Sequence, residues 1–342
     1  MGAKAFISGC AGPSLTADER AFFADAGPWG LILFARNCVD AGQIRRLTDE
    51  FRSVVGRADA PVLIDQEGGR VQRLKPPHWP AYPPVGAIGD LFRRDPEAGL
   101  RAAWLSGRLI GEDLHALGIT VDCIPCVDIR VPGASSVIGD RSYGSEPEVI
   151  AELARVTVVG LAAAGVAPIL KHIPGHGRAL SDSHFELPVV DTPVAELEDS
   201  DFEPFRRLRD LPMAMTAHVI YAAIDADAPA TLSAPVIDGI IRGSIGFDGL
   251  VMTDDLSMKA LDGTFEDRAA RSFAAGCDMA LHCNGSMREM VAVASRSPEL
   301  AGAAARRAEA ALVWAARAET DIADARREFA DLMEAMTSAG EA

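Results

Sequence analysis

Short apolar runs alternate with longer amphipathic segments along most of this chain. The apolar runs predict strands at Ala5–Ser8, Leu31–Ala35, Val62–Asp65, Thr120–Pro125, Ile169–His172, Ala214–Val219, Leu250–Thr253 and Met279–His282. The clearest amphipathic segments predict helices at Ala17–Ala26, Ala41–Val55, Pro96–Leu117, Glu148–Ala164 and Arg268–Ala275. Short apolar runs are typical of buried parallel strands, and alternation with helices is typical of α/β folds. The pattern predicts a (β/α)8 barrel of the TIM type.

The last part of the chain has helical spacing without further strands. Residues 298–318 are rich in Ala and Arg, and residues 320–337 continue with an acidic bias. No repeat or low-complexity linker interrupts the sequence, and 342 residues is a usual length for one α/β barrel. We expect residues 1–342 to form one barrel domain, with helices at about 298–337 packed on the barrel.

Polar side chains stand where several of the predicted strands end. They are Asp65, Lys171, His172, His218 and Asp254. In barrels of this kind the groups that do chemistry lie at the carboxyl ends of the strands. The pattern alone therefore predicts a functional site at that face.

Titratable residues are densest in K-H-I-P-G-H-G-R-A-L-S-D-S-H-F-E-L-P, residues 171–188. Gly175 and Gly177 are expected to end the strand and begin a loop. Beyond them, Asp182 and His184 are two residues apart, and a nearby carboxylate can orient an imidazole and stabilise its protonated form. His184 is thus a candidate proton donor with Asp182 as its partner, and a solvated polar loop is the structural alternative.

A second segment, G-L-V-M-T-D-D-L-S-M at 249–258, ends an apolar run with two carboxylates. Asp254 is a candidate nucleophile, general base or metal ligand. The alternative for the pair is the capping of a helix, since Asp is favoured at that position. Asp255 fits this alternative better, because residues 256–261 could begin a helix.

Together, the motifs along the chain resemble the family 3 glycoside hydrolases, especially the bacterial β-N-acetylglucosaminidases of peptidoglycan recycling. The motifs are L-I-L-F-A-R-N (31–37), L-I-D-Q-E-G-G-R-V-Q-R-L (63–74), D-R-S-Y-G (140–144), K-H-I-P-G-H-G (171–177), D-S-H (182–184), M-T-A-H-V-I-Y (215–221) and T-D-D-L-S-M (253–258). Their order and spacing match that family from roughly residue 5 to residue 295. The resemblance implies a retaining exo-enzyme that removes terminal N-acetylglucosamine from muropeptide fragments.

The resemblance also implies roles for individual residues. Asp254 would be the nucleophile, and His184 with Asp182 the acid/base dyad. Most retaining glycosidases use two carboxylates, but an imidazole titrates near neutrality and can donate a proton and then accept one. The residues implied for the subsite of the terminal sugar are Asp65, Arg73, Arg141, Lys171 and His172.

Other polar residues keep structural interpretations. Arg73 could instead pair with Glu67, and His176 is expected to orient its loop, with an ordinary buried histidine as the alternative. Arg36, Asn37 and Asp128 match family motifs and are interpreted as scaffolding at the barrel rim. The Pro-rich stretch 75–84 either forms a wall of the site or covers the rim.

Composition excludes several classes of partner. A net charge of −16 argues against nucleic acid and against an anionic membrane surface. No apolar stretch has the length of a transmembrane helix, and the first residues lack the pattern of a signal peptide. We expect a cytoplasmic monomer that acts on a small carbohydrate.

The six cysteines do not predict a metal centre. Cys123 and Cys126 form a C-x-x-C, which is found in redox and zinc sites. This pair lies in a strand-like run without a second pair at zinc spacing, so buried apolar thiols are expected. Neither a metal nor a cofactor is predicted.

Three rival functions use the same residues. A metal-dependent barrel hydrolase would also place His and Asp at strand ends, but Lys171 beside His172 puts a cation where a metal would bind. A sugar-binding barrel without activity would leave the candidate catalytic groups unused. Phosphorolysis stays open, because a histidine acid/base lets anionic phosphate approach.

Overall fold

A parallel sheet closed into a barrel forms the centre of the protein. The computed structural model describes residues 2–181, 183, 186–319 and 321–338. Its strands are, in chain order, β1 (Lys4–Ser8), β2 (Pro28–Leu33), β3 (Val62–Ile64), β4 (Gln66–Gly68), β5 (Val71–Gln72), β6 (Val121–Asp122), β7 (Ala167–Pro168), β8 (Leu170–Ile173), β9 (Val189–Val190), β10 (Met213–Thr216), β11 (Ile220–Tyr221), β12 (Leu250–Asp255) and β13 (Met279–His282).

The barrel sheet has the strand order β7-β6-β3-β2-β1-β13-β12-β10-β8. Only Ile169 separates β7 from β8, so the two ends of this order are consecutive in the chain and the sheet closes on itself. Counting β7 and β8 as one interrupted strand gives the eight positions of a TIM-type barrel. The predicted fold class is confirmed.

Helices follow the strands and cover the barrel. They are α1 (Ala17–Ala26), α2 (Ala41–Val55), α3 (Val85–Arg94), α4 (Pro96–His115), α5 (Pro147–Ala163), α6 (Val194–Asp199), α7 (Glu203–Arg207), α8 (Phe265–Ala275), α9 (Met287–Arg296), α10 (Gly302–Leu312) and α11 (Ile322–Ser338), with a π-type helix at Pro235–Ser244. Turns of 3-10 helix lie at Ala35–Asn37, Gly139–Arg141 and Ala230–Leu232. Within the described ranges, no helix combines the length and apolar character needed to cross a lipid bilayer.

Two apolar layers hold these elements together. Inside the barrel, alternate strand residues pack on one another, among them Ile7, Leu63 and Met252. Between the sheet and the helices a larger cluster includes Leu31 and Phe51. Burying a large apolar side chain stabilises the fold by roughly 1.5–3 kcal/mol. The barrel and its helices therefore form a rigid frame, and the polar strand ends lie at one face of it.

The C-terminal helix α11 is fixed to the barrel by Arg326. The guanidinium lies 2.5 Å from Asp113 of α4 and donates to the hydroxyl of Tyr82, which itself donates to Asp113. The carbonyl of Tyr82 accepts a hydrogen bond from Gly69 N at 2.8 Å. The Pro-rich stretch 75–84 thus supports the hairpin β4–β5 from behind and contributes none of the described residues that line the pocket discussed below.

Candidate active site

A pocket of about 220 Å³ lies at the carboxyl ends of the barrel strands. Its walls include every described member of the predicted site: Asp65, Arg73, Arg141, Lys171, His172 and Asp254. Lys171 and His172 belong to β8, Asp65 directly follows β3, and Asp254 lies near the end of β12. Four of the five polar strand ends, Asp65, Lys171, His172 and Asp254, thus lie together as expected, whereas His218 does not line the pocket.

Opposite charges alternate along one wall of the pocket. Lys171 Nζ lies 2.8 Å from Asp65 Oδ1 and 2.6 Å from Glu67 Oε1. Asp65 also accepts a hydrogen bond from Arg73 at 2.9 Å, and Glu67 accepts two from Arg141, each at 2.8 Å. The alternative pairing of Arg73 with Glu67 is wrong, because Arg73 binds Asp65 while Arg141 and Lys171 take both oxygens of Glu67.

These groups stay ionised although they are buried. Burial alone would raise the pKa of Asp65, but Lys171 and Arg73 hold it far below its usual range. Burial would also raise the pKa of Glu67, but Arg141 and Lys171 lower it to about 2. The two carboxylates outweigh the desolvation of Lys171 and raise its pKa well above normal. The wall is a set of fixed charges that suits the polar hydroxyls of a sugar.

His172 is held from behind by Asp128. Its Nδ1 lies 2.6 Å from Asp128 Oδ2, and its backbone N–H also points to this carboxylate. Burial would raise the pKa of Asp128, but His172 lowers it well below normal. Asp128 is fully buried and does not line the pocket, so its scaffolding role is exerted beneath the site and not at the rim. With its Nδ1 held by Asp128, the imidazole of His172 lines the pocket in a fixed orientation.

Cys126 completes a small polar group with these two residues. Among the described residues, Cys126, Asp128 and His172 form a group of three side chains whose metal-ligating atoms all lie within 4.8 Å of one another. Cys126 Sγ lies 3.2 Å from Asp128 Oδ2, and burial raises the pKa of this thiol well above normal. A protonated thiol donating to a carboxylate, together with the Asp128–His172 hydrogen bond, accounts for the grouping.

The neighbouring carboxylates of β12 have different surroundings. Both Asp254 and Asp255 line the pocket, and Asp254 Oδ1 accepts from Asp255 N at 2.7 Å. Asp255 Oδ1 accepts from Ser257 N at 3.0 Å and from Cys283 N at 3.1 Å. The helix that Asp255 is expected to cap is not formed: the chain turns there instead, and this carboxylate accepts from backbone amides of the turn and of the next strand end.

Other predicted polar residues lie outside the pocket. His218 Nδ1 is 2.7 Å from the Thr231 hydroxyl, and its Nε2 is 3.1 Å from the carbonyl of Asp255. Arg36 Nε donates to the carbonyl of Cys10 at 3.0 Å. Asn37 Nδ2 donates to the loop after β1, to the carbonyl of Gly12 at 2.8 Å. His218 thus supports the strand end that carries the candidate nucleophile, and Arg36 and Asn37 act as scaffolding.

The predicted dyad residues Asp182 and His184 lie outside the described residues. Ser183, between them, is 3% exposed and lines the pocket. Its Oγ lies 3.1 Å from Nε2 of His176, which also lines the pocket. The loop therefore returns to the site at Ser183, and the roles of its two neighbours stay predictions.

Sequence reasoning missed Glu67 and the apolar wall. Glu67 is two residues from Asp65, and its motif could have indicated a buried acid that orders two cations. The apolar wall includes Phe34, Val137, Ile138, Met215 and Met258. Arg73 also stacks over the Phe34 ring, with its central carbon 4.9 Å from the ring centroid. The spacing of polar residues at strand ends does not reveal apolar contacts of this kind.

Glu67→Gln should weaken both the fold and the site. The change leaves the charges of Lys171 and Arg141 less compensated in a buried place, so we expect a loss of about 3 kcal/mol in the free energy of unfolding. Because the folded pKa of about 2 is below the ordinary 4.5, the stabilisation by Glu67 is present above pH 4.5 and is lost as the pH falls towards 2. Denaturant unfolding between pH 2 and pH 7 should show that the free energy of unfolding falls less steeply with decreasing pH in the variant than in the unmodified protein. Parallel curves would contradict this role.

Comparisons with known proteins identify the family of this chain. A family model described as the glycosyl hydrolase family 3 N terminal domain matches residues 12–308. A β-hexosaminidase of Alkalilimnicola ehrlichii is 41% identical over 282 residues, which are 81% of this chain and 80% of that protein. One of Bordetella avium is 39% identical over 280 residues, 80% of this chain and 79% of that protein.

A solved structure extends the likeness to nearly the whole chain. NagZ from Neisseria gonorrhoeae, in complex with N-trifluoroacetyl-D-glucosamine, superposes with a TM-score of 0.83 at 31% identity and covers 97% of this chain and 99% of that one. The family match spans most of the sequence, and the pocket lies where barrel enzymes carry their active sites. The chain belongs to the family 3 glycoside hydrolases.

Proposed function

We propose that this enzyme is a retaining exo-β-N-acetylglucosaminidase. The observation that carries the proposal is the meeting of Asp254 with Asp65, Lys171 and His172 in one pocket. A carboxylate facing a rigid wall of hydrogen-bonding groups is what attack on a bound sugar requires. The β-hexosaminidases and the NagZ structure to which the chain is similar support N-acetylglucosamine as the sugar.

The proposed reaction is a double displacement. Asp254 attacks the anomeric carbon, the bond to the leaving oxygen breaks, and His184 gives its proton to that oxygen. In the second step His184 takes a proton from water, the water oxygen bonds to the anomeric carbon, and the ester to Asp254 breaks. Asp182 orients the imidazole of His184 throughout. Two inversions retain the β configuration.

The charged wall would hold the terminal sugar before any bond changes. Within the described residues each oxygen of Asp65 accepts one hydrogen bond, which leaves lone pairs for sugar hydroxyls. Arg73, Lys171 and His172 supply donors, and Arg141 positions Glu67 beneath them. Because the ion pairs already fix these groups, little ordering is needed when the sugar binds.

We further propose muropeptide fragments with a terminal N-acetylglucosamine as the substrates, and the cytoplasm as the place of action. The resemblance to enzymes of peptidoglycan recycling supports this choice. The pocket described above concerns only the terminal sugar, so the preference for the remainder of the substrate rests on that resemblance.

The activity is tested with three aryl β-glycosides that differ in the sugar alone. The N-acetylglucosaminide should be turned over at least about a hundredfold faster, by kcat/KM, than the glucoside or the N-acetylgalactosaminide, since a site built for hydrogen bonds rejects sugars that leave its groups unpaired. Equal rates would contradict the proposed sugar. Product analysis with and without phosphate distinguishes hydrolysis, which we expect, from phosphorolysis.

A further inference from the structure

The loop between β8 and β9 is firmly attached at both of its ends. At the start, the Tyr221 hydroxyl donates to the carbonyl of Gly175. Gly177 packs so closely that an added Cβ would lie 2.1 Å from the carbonyl oxygen of Ile129. At the other end, Ile220 N donates to the carbonyl of Pro188 at 2.9 Å, and β9 pairs with β11. Between these ends, the described residue Ser183 is the direct sequence neighbour of both proposed dyad residues.

The side chain of His176 contacts Ser183. Its Nε2 lies 3.1 Å from Ser183 Oγ, and both residues are 3% exposed. Its backbone N–H donates to Asp128 Oδ1 at 2.6 Å, so the start of the loop rests on the carboxylate that also holds His172. The ring of His176 packs edge-on against that of His172, with centroids 5.6 Å apart. Four side chains thus connect the sugar pocket to the middle of the loop.

The surroundings of His176 fit a positioning role better than an ordinary buried histidine. Burial, with help from His172, lowers the pKa of His176 to about 4, so the ring is neutral at physiological pH. Its Nδ1 is buried and has no hydrogen-bond partner within the described residues. Leaving a buried polar atom unpaired costs free energy. Within the described residues, the ring of His176 therefore hydrogen-bonds to Ser183 alone.

We propose that His176 is a positioning residue for the acid/base chemistry: it holds Ser183, the residue between the proposed dyad members Asp182 and His184. The inference deepens the proposed function and rests on it, because it concerns the loop that carries the proposed proton donor. On this proposal, loss of His176 impairs proton transfer to the leaving group and not the binding of the sugar. Ser183, directly between the dyad residues, is the point through which the ring acts.

The test uses His176→Ala and Ser183→Ala with aryl N-acetylglucosaminides whose leaving phenols differ in acidity. Poor leaving groups need protonation, so kcat/KM should fall about tenfold or more for them and only slightly for the most acidic phenols. The double variant should lose little more than His176→Ala alone, because Ser183→Ala breaks a contact that His176→Ala has already removed. His176→Gln, whose side-chain amide can reach Ser183, should restore most of the activity.

Leu180→Ala is the matched control, since this side chain lies in the same loop and is 76% exposed. It should leave the dependence on leaving-group acidity as in the unmodified enzyme. His184→Ala is measured alongside. His184→Ala should steepen the dependence of kcat/KM on leaving-group acidity. If it does so while His176→Ala and Ser183→Ala lower kcat/KM equally for all substrates, the inference is wrong and the proposed function stands. If His184→Ala itself leaves the slope unchanged, the proposed dyad fails instead.

Discussion

Asp254→Ala should abolish turnover of all glycosides while the barrel stays folded. The residue lies near the end of β12 and lines the pocket, so its loss removes the proposed nucleophile without opening the apolar core. Removing a nucleophile of this kind typically costs at least about 10⁴-fold in kcat. Steady-state kinetics measures the loss, and thermal unfolding of the variant shows whether the fold survives.

Asp255→Asn is the matched control for this prediction. Asp255 also lines the pocket, but its carboxylate serves the backbone amides of Ser257 and Cys283. An amide oxygen can keep those hydrogen bonds, so we expect a far smaller loss than for Asp254→Ala. If Asp254→Ala kept more than a few per cent of activity, or if Asp255→Asn were the more damaging change, the nucleophile would be misassigned.

His184→Ala should slow natural substrates far more than aryl glycosides with acidic phenols. A sugar alkoxide is a poor leaving group and needs the proton of the imidazole, whereas an acidic phenol leaves without one. General acid catalysis is typically worth about 10²–10⁴-fold, so the loss on poor leaving groups should lie in that range. Rates across a series of phenols, for the unmodified enzyme and the variant, measure the difference.

Two further results are expected if His184 is the proton donor. A small anion such as azide should partly rescue His184→Ala, since it attacks the glycosyl-enzyme without base assistance. Asp182→Asn should show a milder form of the same pattern, because the imidazole remains and loses only its charged partner. If His184→Ala lowered the rate by the same factor on every substrate, another group would have to be the proton donor.

Much of the fold could be predicted from local signals. The exact bounds of α1 and α2 follow from Thr16 and Asp40, which cap these helices through their side chains, and from the glycines that end them. The predicted strands at 279–282 and 62–65 match β13 and β3 closely. The helix expected after Asp255 is replaced by a turn, and this carboxylate also accepts from Cys283 N, a distant partner that no local pattern contains.

The site was predictable as a list of residues and not as a set of contacts. Strand ends in a parallel barrel meet at one face, so Asp65, Lys171 and Asp254 could be placed together from their positions alone. Which cation pairs with which carboxylate depends on side-chain reach across strands. For that reason the pairing of Arg141 with Glu67, and the place of Asp128 beneath His172, emerged only from the structure.

The most direct test of the proposed function is to trap the glycosyl-enzyme. A 5-fluoro N-acetylglucosaminyl fluoride slows both steps, but its good leaving group lets the first step proceed, so the covalent sugar accumulates. Mass spectrometry of the intact protein and its proteolytic peptides locates the added mass. We expect one sugar per chain, attached to Asp254 and absent from Asp254→Ala. A label on Asp255 or another residue, or turnover without any covalent sugar, would contradict the proposed function.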